Sequence, residues 1–346
     1  MKDFIIIGAG QAGLAMAYYL NQQKANYLVI DANTKIGEPW LKRWDSLKLF
    51  TPSEFNHLPG LEFPYTKGHY ANKYEVAEYL QQYVNTFNIP ILFNKKIISL
   101  KKKDNHFIVN SNQQQFKAKQ VIIATGPFHT PFTPKFHTKI SNEITQIHSE
   151  NYKNPTQLQK GATLVVGAGD SGVQILKEIS TTNRKVYFSG NTNITSIPQE
   201  ILGKTLWWWF QKIGFLNANK HTWIGEKLSN GGQPIIGTDV KSLFKKENVI
   251  CLGRCLNATN NNIIFEKETV SDIKNIIWAT GFKPNFNWID TVELDEQNYP
   301  KNYRGVSNIE GLYFIGLPWL HTRGSATLGG VKKDAEYLIH YISKKI

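Results

Sequence analysis

The chain is poor in cysteine and methionine, has no long apolar run, and carries fewer acids than bases. Two cysteines in 346 residues exclude a disulfide framework and fit a reducing, cytoplasmic setting. No stretch approaches the roughly 18 uncharged apolar residues of a membrane span, so stable membrane insertion is not expected. The N-terminal apolar run, Phe4 to Ile7, leads straight into Gly8 and is too short for the apolar core of a signal peptide. Cys251 and Cys255 stand at C-x-x-x-C spacing, which cannot form an active C-x-x-C dithiol, and they read as packing thiols. The nine histidines show no ligand spacing, so no metal site is expected.

Lysine and arginine number 40 against 27 acids, a net charge of +13. The lysine clusters, Lys101–Lys103, Lys245–Lys246 and Lys344–Lys345, are small and scattered. Without a basic stripe, the charge argues against a nucleic-acid partner and for a mild field that draws in an anionic nucleotide.

What the chain has is a repeated turn. Phe4-Ile5-Ile6-Ile7 reads as a buried parallel strand, followed by Gly8, Gly10 and Gly13 at G-x-G-x-x-G spacing and an apolar helical stripe. In such a turn the first glycine bends the chain. The second admits a pyrophosphate to the backbone, and the third lets helix and strand pack closely. Gln11 lies inside the motif, where the helix N-terminus offers free N–H groups. A second strand, Tyr27 to Ile30, ends in Asp31 and Ala32, about where an acid grips ribose hydroxyls.

Leu164-Val165-Val166 opens a second copy, with Gly167, Gly169, Asp170, Ser171 and Gly172. Its next strand ends in Ser189-Gly190-Asn191, with neither an acid for a free 2′-hydroxyl nor a base for a 2′-phosphate. NADH and NADPH both remain open. Two such turns point to two nucleotides: the first, with its acid, suits the ADP half of FAD, and the second a nicotinamide coenzyme. A duplicated domain holding one ligand is the plainer alternative.

Two buried strands end alike, at Ala124-Thr125-Gly126 and Ala279-Thr280-Gly281. A third, Leu312 to Ile315, runs into Gly316, and Ser325 to Gly330 is expected to open the last helix.

Together GAGQAG, the W-x-x-R-x-D-S-L-x-L-F-T-P stretch from Trp40 to Pro52, the two A-T-G ends, GAGDSG and FIGLPW at Phe314 to Trp319 resemble the two-dinucleotide-binding-domain flavoproteins. Among these the chain is similar to the bacterial flavin-containing monooxygenases and their short members associated with metal-efflux operons. The resemblance implies an α/β fold of two Rossmann-like three-layer domains. The FAD domain is split over 1–150 and 271–346, and an NAD(P)H domain at 155–270 is inserted, with a helical insertion at 201–240. It implies that Gly8, Gly10, Gln11, Gly13 and Asp31 hold the ADP half of FAD. Trp40, Arg43 and Leu47 would run beside the flavin, Gly316 near the pyrophosphate or ribityl chain, and Thr327 and Leu328 near the pyrimidine end of the ring. The reaction implied is NAD(P)H-dependent oxygenation of small sulfur or nitrogen compounds, or ketones, by O2 through a C4a-(hydro)peroxyflavin.

Departures from the family pattern keep other readings open. In Asn142–Tyr152 the family's F-x-G-x-x-x-H-x-x-x-F/W/Y survives at His148 and Tyr152, but Asn142 and Ile144 replace Phe and Gly. His148 is then a linker residue, structural or helping the domains swing. Phe50 occupies the region where relatives place a peroxide-holding asparagine. Phe50, Trp319, His321 and Arg323 are substrate-pocket candidates, with loop packing as the alternative for the last three. Trp207-Trp208-Trp209-Phe210, among Lys204, Lys212 and Lys220, reads as core aromatics, or else as a lid or membrane-touching surface. The rival functions are a flavin reductase feeding a quinone, carrier or metal species, and a non-catalytic redox-sensing flavoprotein. Nothing in the sequence fixes the oligomeric state; a homodimer is the commonest closed assembly.

Overall fold

A computed structural model describes residues 1–219, 222, 225–226 and 234–344; Lys220 and Lys345 lie outside the described residues. Two sheets, one mixed and one parallel, organise the molecule. In the first, the β-branched run in Lys2–Ile7 is central. It pairs in parallel with Tyr27–Ile30 on one side and Gln115–Ile123 on the other. Ile91–Leu92 extends one edge, and Leu312–Phe314 pairs in parallel with Gln115–Ile123. Ile97–Lys103, His106–Ser111 and the first half of Gln115–Ile123 form an antiparallel meander. Ile5, Ile6 and Ile122 are wholly buried, as expected of strands covered on both faces.

The second sheet is all parallel, in the order Val249–Cys251, Val186–Ser189, Ala162–Val166, Ile273–Trp278, Thr145–His148. Two of its strands, Thr145–His148 and Ile273–Trp278, fall outside the expected 155–270 insert. Ile273–Trp278 pairs directly with Ala162–Val166, and Thr145–His148 pairs in turn with Ile273–Trp278. The chain then returns through Leu312–Phe314 to the first sheet.

Helices cover these sheets with the faces the sequence marks. Gln11–Gln22 buries Leu14, Met16, Ala17 and Leu20. Val331–Ser343 buries Val331, Ala335, Leu338 and Ile342 in the same core. That last helix starts later than expected. Arg323–Ala326 is a 3-10 turn capped by Thr322, and Gly329 and Gly330 intervene. A Cβ on Gly329 would lie 1.8 Å from the Phe55 carbonyl oxygen, so this stretch is shaped by close approach to another loop and not by helix propensity.

Lys73–Phe87 begins with an Asn72–Glu75 capping box. Tyr79 and Tyr83 on this helix are fully buried, and their hydroxyls donate to Leu61 O at 2.8 Å and Pro59 O at 2.6 Å. In the 201–240 segment the described residues hold a hairpin, Glu200–Ile201 with Lys204–Thr205, as well as the helix Leu206–Lys212.

Candidate functional site: two glycine cradles and the crossing between them

The two glycine turns are built alike. Gly8 has φ +108° and Gly167 φ +125°. A Cβ on either would strike a carbonyl oxygen, Ala124 O at 2.6 Å or Ala279 O at 2.1 Å. Gly13 and Gly172 press the helix onto the turn, where a Cβ would lie 1.9 Å from Gly8 O or 2.0 Å from Gly167 O. Gly10 and Gly169 differ from these, for a Cβ there would meet nothing within 4 Å. Each is also the N-cap of its helix and offers no side chain to cap it. Open space and uncapped N–H groups make both turns cradles for an anion such as a pyrophosphate.

The first cradle opens into a cleft lined by Ala9, Gly10, Gln11, Asp31, Asn33, Lys35, Gly37, Pro39, Trp40 and Leu80. Four residues expected from sequence, Gly10, Gln11, Asp31 and Trp40, therefore meet. Asn33 and Lys35 line the same cleft and were missed, since a short polar loop carries no periodic signal. Asp31 is fixed by three hydrogen bonds. Oδ2 accepts Ala9 N–H at 2.6 Å, while Oδ1 accepts the Asn33 N–H at 2.7 Å and side-chain amide at 2.8 Å. A carboxylate has about four lone-pair sites, which leaves room for one more donor. Ala32 is exposed. Gln11 reaches the far loop, its amide donating to Ala326 O at 3.3 Å. Gly316, φ +77°, approaches the first helix so closely that a Cβ would lie 2.6 Å from Ala12 Cβ. Thr327 turns its hydroxyl inward to Gly324 O at 2.7 Å, and Leu328 is buried in the first core.

Trp40 packs against the cores of both sheets, and Leu47 belongs to the second. Leu47 packs with Trp44, Tyr152 and Leu158 in the core of the second sheet. The Arg43 guanidinium lies over Phe128 at 5.1 Å and Phe282 at 5.5 Å, one ring from each crossing between the sheets. Those crossings pair antiparallel, Phe282 with Pro131 and Lys283 with Thr130. The Thr280 hydroxyl donates to Phe132 O, and Phe132 N–H donates to Gly281 O at 2.9 Å. His148 joins them: its Nδ1 accepts Glu150 N–H at 3.2 Å and its Nε2 donates to Gly281 O at 3.1 Å. This pattern requires a neutral ring, and burial holds the His148 pKa below its ordinary value. Thr125 is exposed and receives the His129 Nε2 at 3.2 Å. Gly126 and Gly281 both have left-handed φ and open space where a Cβ would be.

At the second cradle Asp170 and Ser171 occupy the first helical turn. Burial raises the Asp170 pKa, and the opposing pull comes from Arg323, on the loop of the first sheet's half. Ser189 is buried, and its hydroxyl accepts Cys255 N–H at 2.8 Å. Burial raises the pKa of both cysteines, that of Cys255 to about 12.

Phe50 packs at a tilt against Trp207, ring centres 5.6 Å apart, in an apolar cluster with Leu206 and Ile236. Trp207 is thus a core aromatic. Trp319 holds a left-handed φ of +52°, unusual for a bulky side chain. His321 N–H donates to Ser325 Oγ at 3.1 Å, and burial lowers the Arg323 pKa while Asp170 supports its charge.

Residues 5–202 match the family model described as pyridine nucleotide-disulphide oxidoreductase. An uncharacterized oxidoreductase CzcO-like of Geobacillus kaustophilus is 42% identical over 98% of both chains. The corresponding CzcO oxidoreductase of Bacillus subtilis is 41% identical over 98% of both. The solved flavin-containing monooxygenase of Stenotrophomonas maltophilia shares the fold, with TM-score 0.81 and 22% identity over 99% of this chain and 98% of that one. With its paired glycine cradles, the chain belongs to the pyridine nucleotide-disulphide oxidoreductase family, among the CzcO-like oxidoreductases.

Proposed function

We propose that this oxidoreductase is an FAD-dependent, NAD(P)H-using monooxygenase of small sulfur or nitrogen compounds, or ketones. One observation carries the reading. The open glycine positions, Gly10 and Gly169, sit on two different sheets with uncapped helix N-termini, while neither cysteine is disposed to act as a thiolate. Two dinucleotide cradles without a reactive dithiol suit electron delivery to O2. The fold shared with the Stenotrophomonas maltophilia flavin-containing monooxygenase supports the same direction.

The FAD cradle is Gly8 to Gly13. Its backbone N–H groups take the pyrophosphate, and the remaining acceptor site of Asp31 takes a ribose hydroxyl. Trp40 and Leu80 wall the cleft. Gly167 to Gly172 takes the coenzyme pyrophosphate, NADH or NADPH. On the strand pairing, the coenzyme-binding insert runs from about 145 to 278, wider than 155–270. When bound, FAD accepts hydride from the nicotinamide and activates O2 for transfer to the substrate. The protein's part is to hold both nucleotides, keep His148 neutral at the crossing, and exclude water with the Phe50–Trp207 cluster.

The experiment is anaerobic reduction of the flavin-loaded protein by NADH and by NADPH, followed by air and a thioether or ketone. Oxygenated product in step with coenzyme consumed supports the reading. If coenzyme is consumed and all electrons leave as hydrogen peroxide, the monooxygenase reading is lost. Faster anaerobic turnover with a quinone would then favour the reductase, which Phe50, standing where relatives place an asparagine, also favours.

A further inference from the structure

The segment 201–216 contains Lys204 and Lys212 but no acid. Leu202 and Gly203 form the tip of the hairpin joining Ile201 to Lys204, with φ of +51° and +69°. A two-residue turn with positive φ at both centres favours Asn, Asp or Gly. Here a leucine takes the first position and stands 87% exposed. Neither folding nor solubility accounts for an apolar side chain in a strained conformation at a solvent-facing tip.

The neighbouring surface continues the pattern. Trp209 Nε1 donates to Ile201 O at 2.9 Å, tying the helix Leu206–Lys212 to the hairpin. Trp208 lies edge-on to Trp209 at 4.8 Å, with Lys204 Nζ at 5.9 Å and Lys212 Nζ at 5.6 Å from its ring centre. Neither lysine pairs with a carboxylate among the described residues. Ile213, one turn beyond Trp209, is 69% exposed. On the inner side Trp207 is buried against Phe50, so this outer surface is held on a packed base.

We propose that this hairpin and helix dock the protein peripherally on an anionic lipid bilayer. Leu202 enters the acyl boundary, Ile213 reaches the same depth, and Trp208 sits at the headgroup level. Lys204 and Lys212 pair with lipid phosphates. Cations without carboxylate partners, flanking a half-buried tryptophan and two exposed apolar tips, match the layered chemistry of a bilayer surface. No helix among the described residues is long and apolar enough to cross a membrane, so the attachment is reversible and salt-sensitive.

The test is co-sedimentation of the full-length protein with vesicles of phosphatidylglycerol and phosphatidylcholine, against phosphatidylcholine alone. Wild type should bind the anionic vesicles selectively. Lys204→Glu/Lys212→Glu should weaken binding about tenfold or more, and Leu202→Ser about threefold or more. The control is Lys103→Glu/Lys117→Glu, two exposed lysines on the meander, which changes net charge equally. Should that control weaken binding as much as the Lys204/Lys212 pair, the attraction is merely the overall charge and the docking surface is refuted. Equal binding to both vesicle types, or none, also refutes it. So does a self-association in size-exclusion chromatography that Leu202→Ser abolishes while vesicle binding is absent. Retained melting temperature and flavin content in each variant show that a loss is not misfolding.

Discussion

Lys73 Nζ lies 2.6 Å from Asp45 Oδ1, with the lysine 1% exposed. The same ammonium donates to Arg43 O at 2.7 Å and Leu41 O at 3.4 Å. Asp45 in turn accepts the Asn154 amide at 2.7 Å, and its N–H donates to Lys153 O at 2.7 Å. One buried cation therefore fixes the Trp40–Leu47 stretch, and that stretch is stitched to the chain entering the second sheet.

Lys73→Met should keep the packing and lose the three bonds. Asp45 is 42% exposed on its side chain and can turn to water, so the loss comes mainly from the two carbonyls. A destabilisation of about 1–3 kcal/mol is expected. Purified Lys73→Met should also retain less flavin, because Trp40 loses its anchor. Unchanged stability in urea together with full flavin content would show that the stretch is held by other contacts.

The glycines of the first cradle separate folding from binding. Gly13→Ala forces a Cβ to 1.9 Å from Gly8 O, a backbone clash with no flexible side chain to yield. It should destabilise by about 3 kcal/mol or more and reduce soluble yield. Gly10→Ala meets open space, so it should cost about 1 kcal/mol or less yet strip the protein of FAD, because its methyl occupies the phosphate approach. The flavin-to-protein absorbance ratio and urea midpoints distinguish the two. A Gly10→Ala protein as yellow as wild type would remove the pyrophosphate from this turn.

Much of this architecture could be read from residue order. The two glycine turns follow β-branched runs, and both features are local, so strand, turn and helix are legible within about twenty residues. What escaped was long-range. Lys73 looks like a solvent-facing helix start until Asp45 closes on it. The N–H that meets the Ser189 hydroxyl comes from Cys255, on a strand of a different sheet. Leu47 is buried in the second sheet's core, and Trp40 bridges that core and the first, which no local pattern encodes. The last helix is delayed to Val331 because Gly329 lies against Phe55, a contact no helical period encodes.

Asp170 and Arg323 set up a pH effect across the two halves. Burial raises the Asp170 carboxyl, and Arg323 only partly opposes it. Its folded pKa therefore exceeds the unfolded one. Stability falls as pH rises between the ordinary 3.8 and that raised value. The same carboxylate, in the first turn of the coenzyme helix, repels an incoming pyrophosphate. Coenzyme affinity should increase as pH falls through this window. Asp170→Asn should bind NAD(P)H about three- to tenfold more tightly near neutral pH, with the pH dependence flattened. Titration of anaerobic protein with coenzyme measures this; weaker binding by Asp170→Asn would make the carboxylate a direct ligand instead.

Three histidines act with the opposite sign. Burial lowers the pKa of His57, His129 and His148, with Lys332 adding to the effect at His57. All three are held neutral, His129 accepting Asn285 N–H at Nδ1 and His148 accepting Glu150 N–H. Since each folded pKa lies below 6.5, the unfolded chain binds protons first on acidification. The stability they confer is complete above about pH 6.5 and is lost as pH falls through the folded values. Each contributes a slope of up to about 1.4 kcal/mol per pH unit in that window. His148→Gln preserves a donor to Gly281 O but cannot titrate, so its unfolding free energy should decline less steeply between about pH 7 and pH 5 than that of wild type. Parallel slopes for the two proteins in urea titrations would mean that His148 is already solvated at the crossing and that the domain linkers are looser than the packed geometry around Phe282.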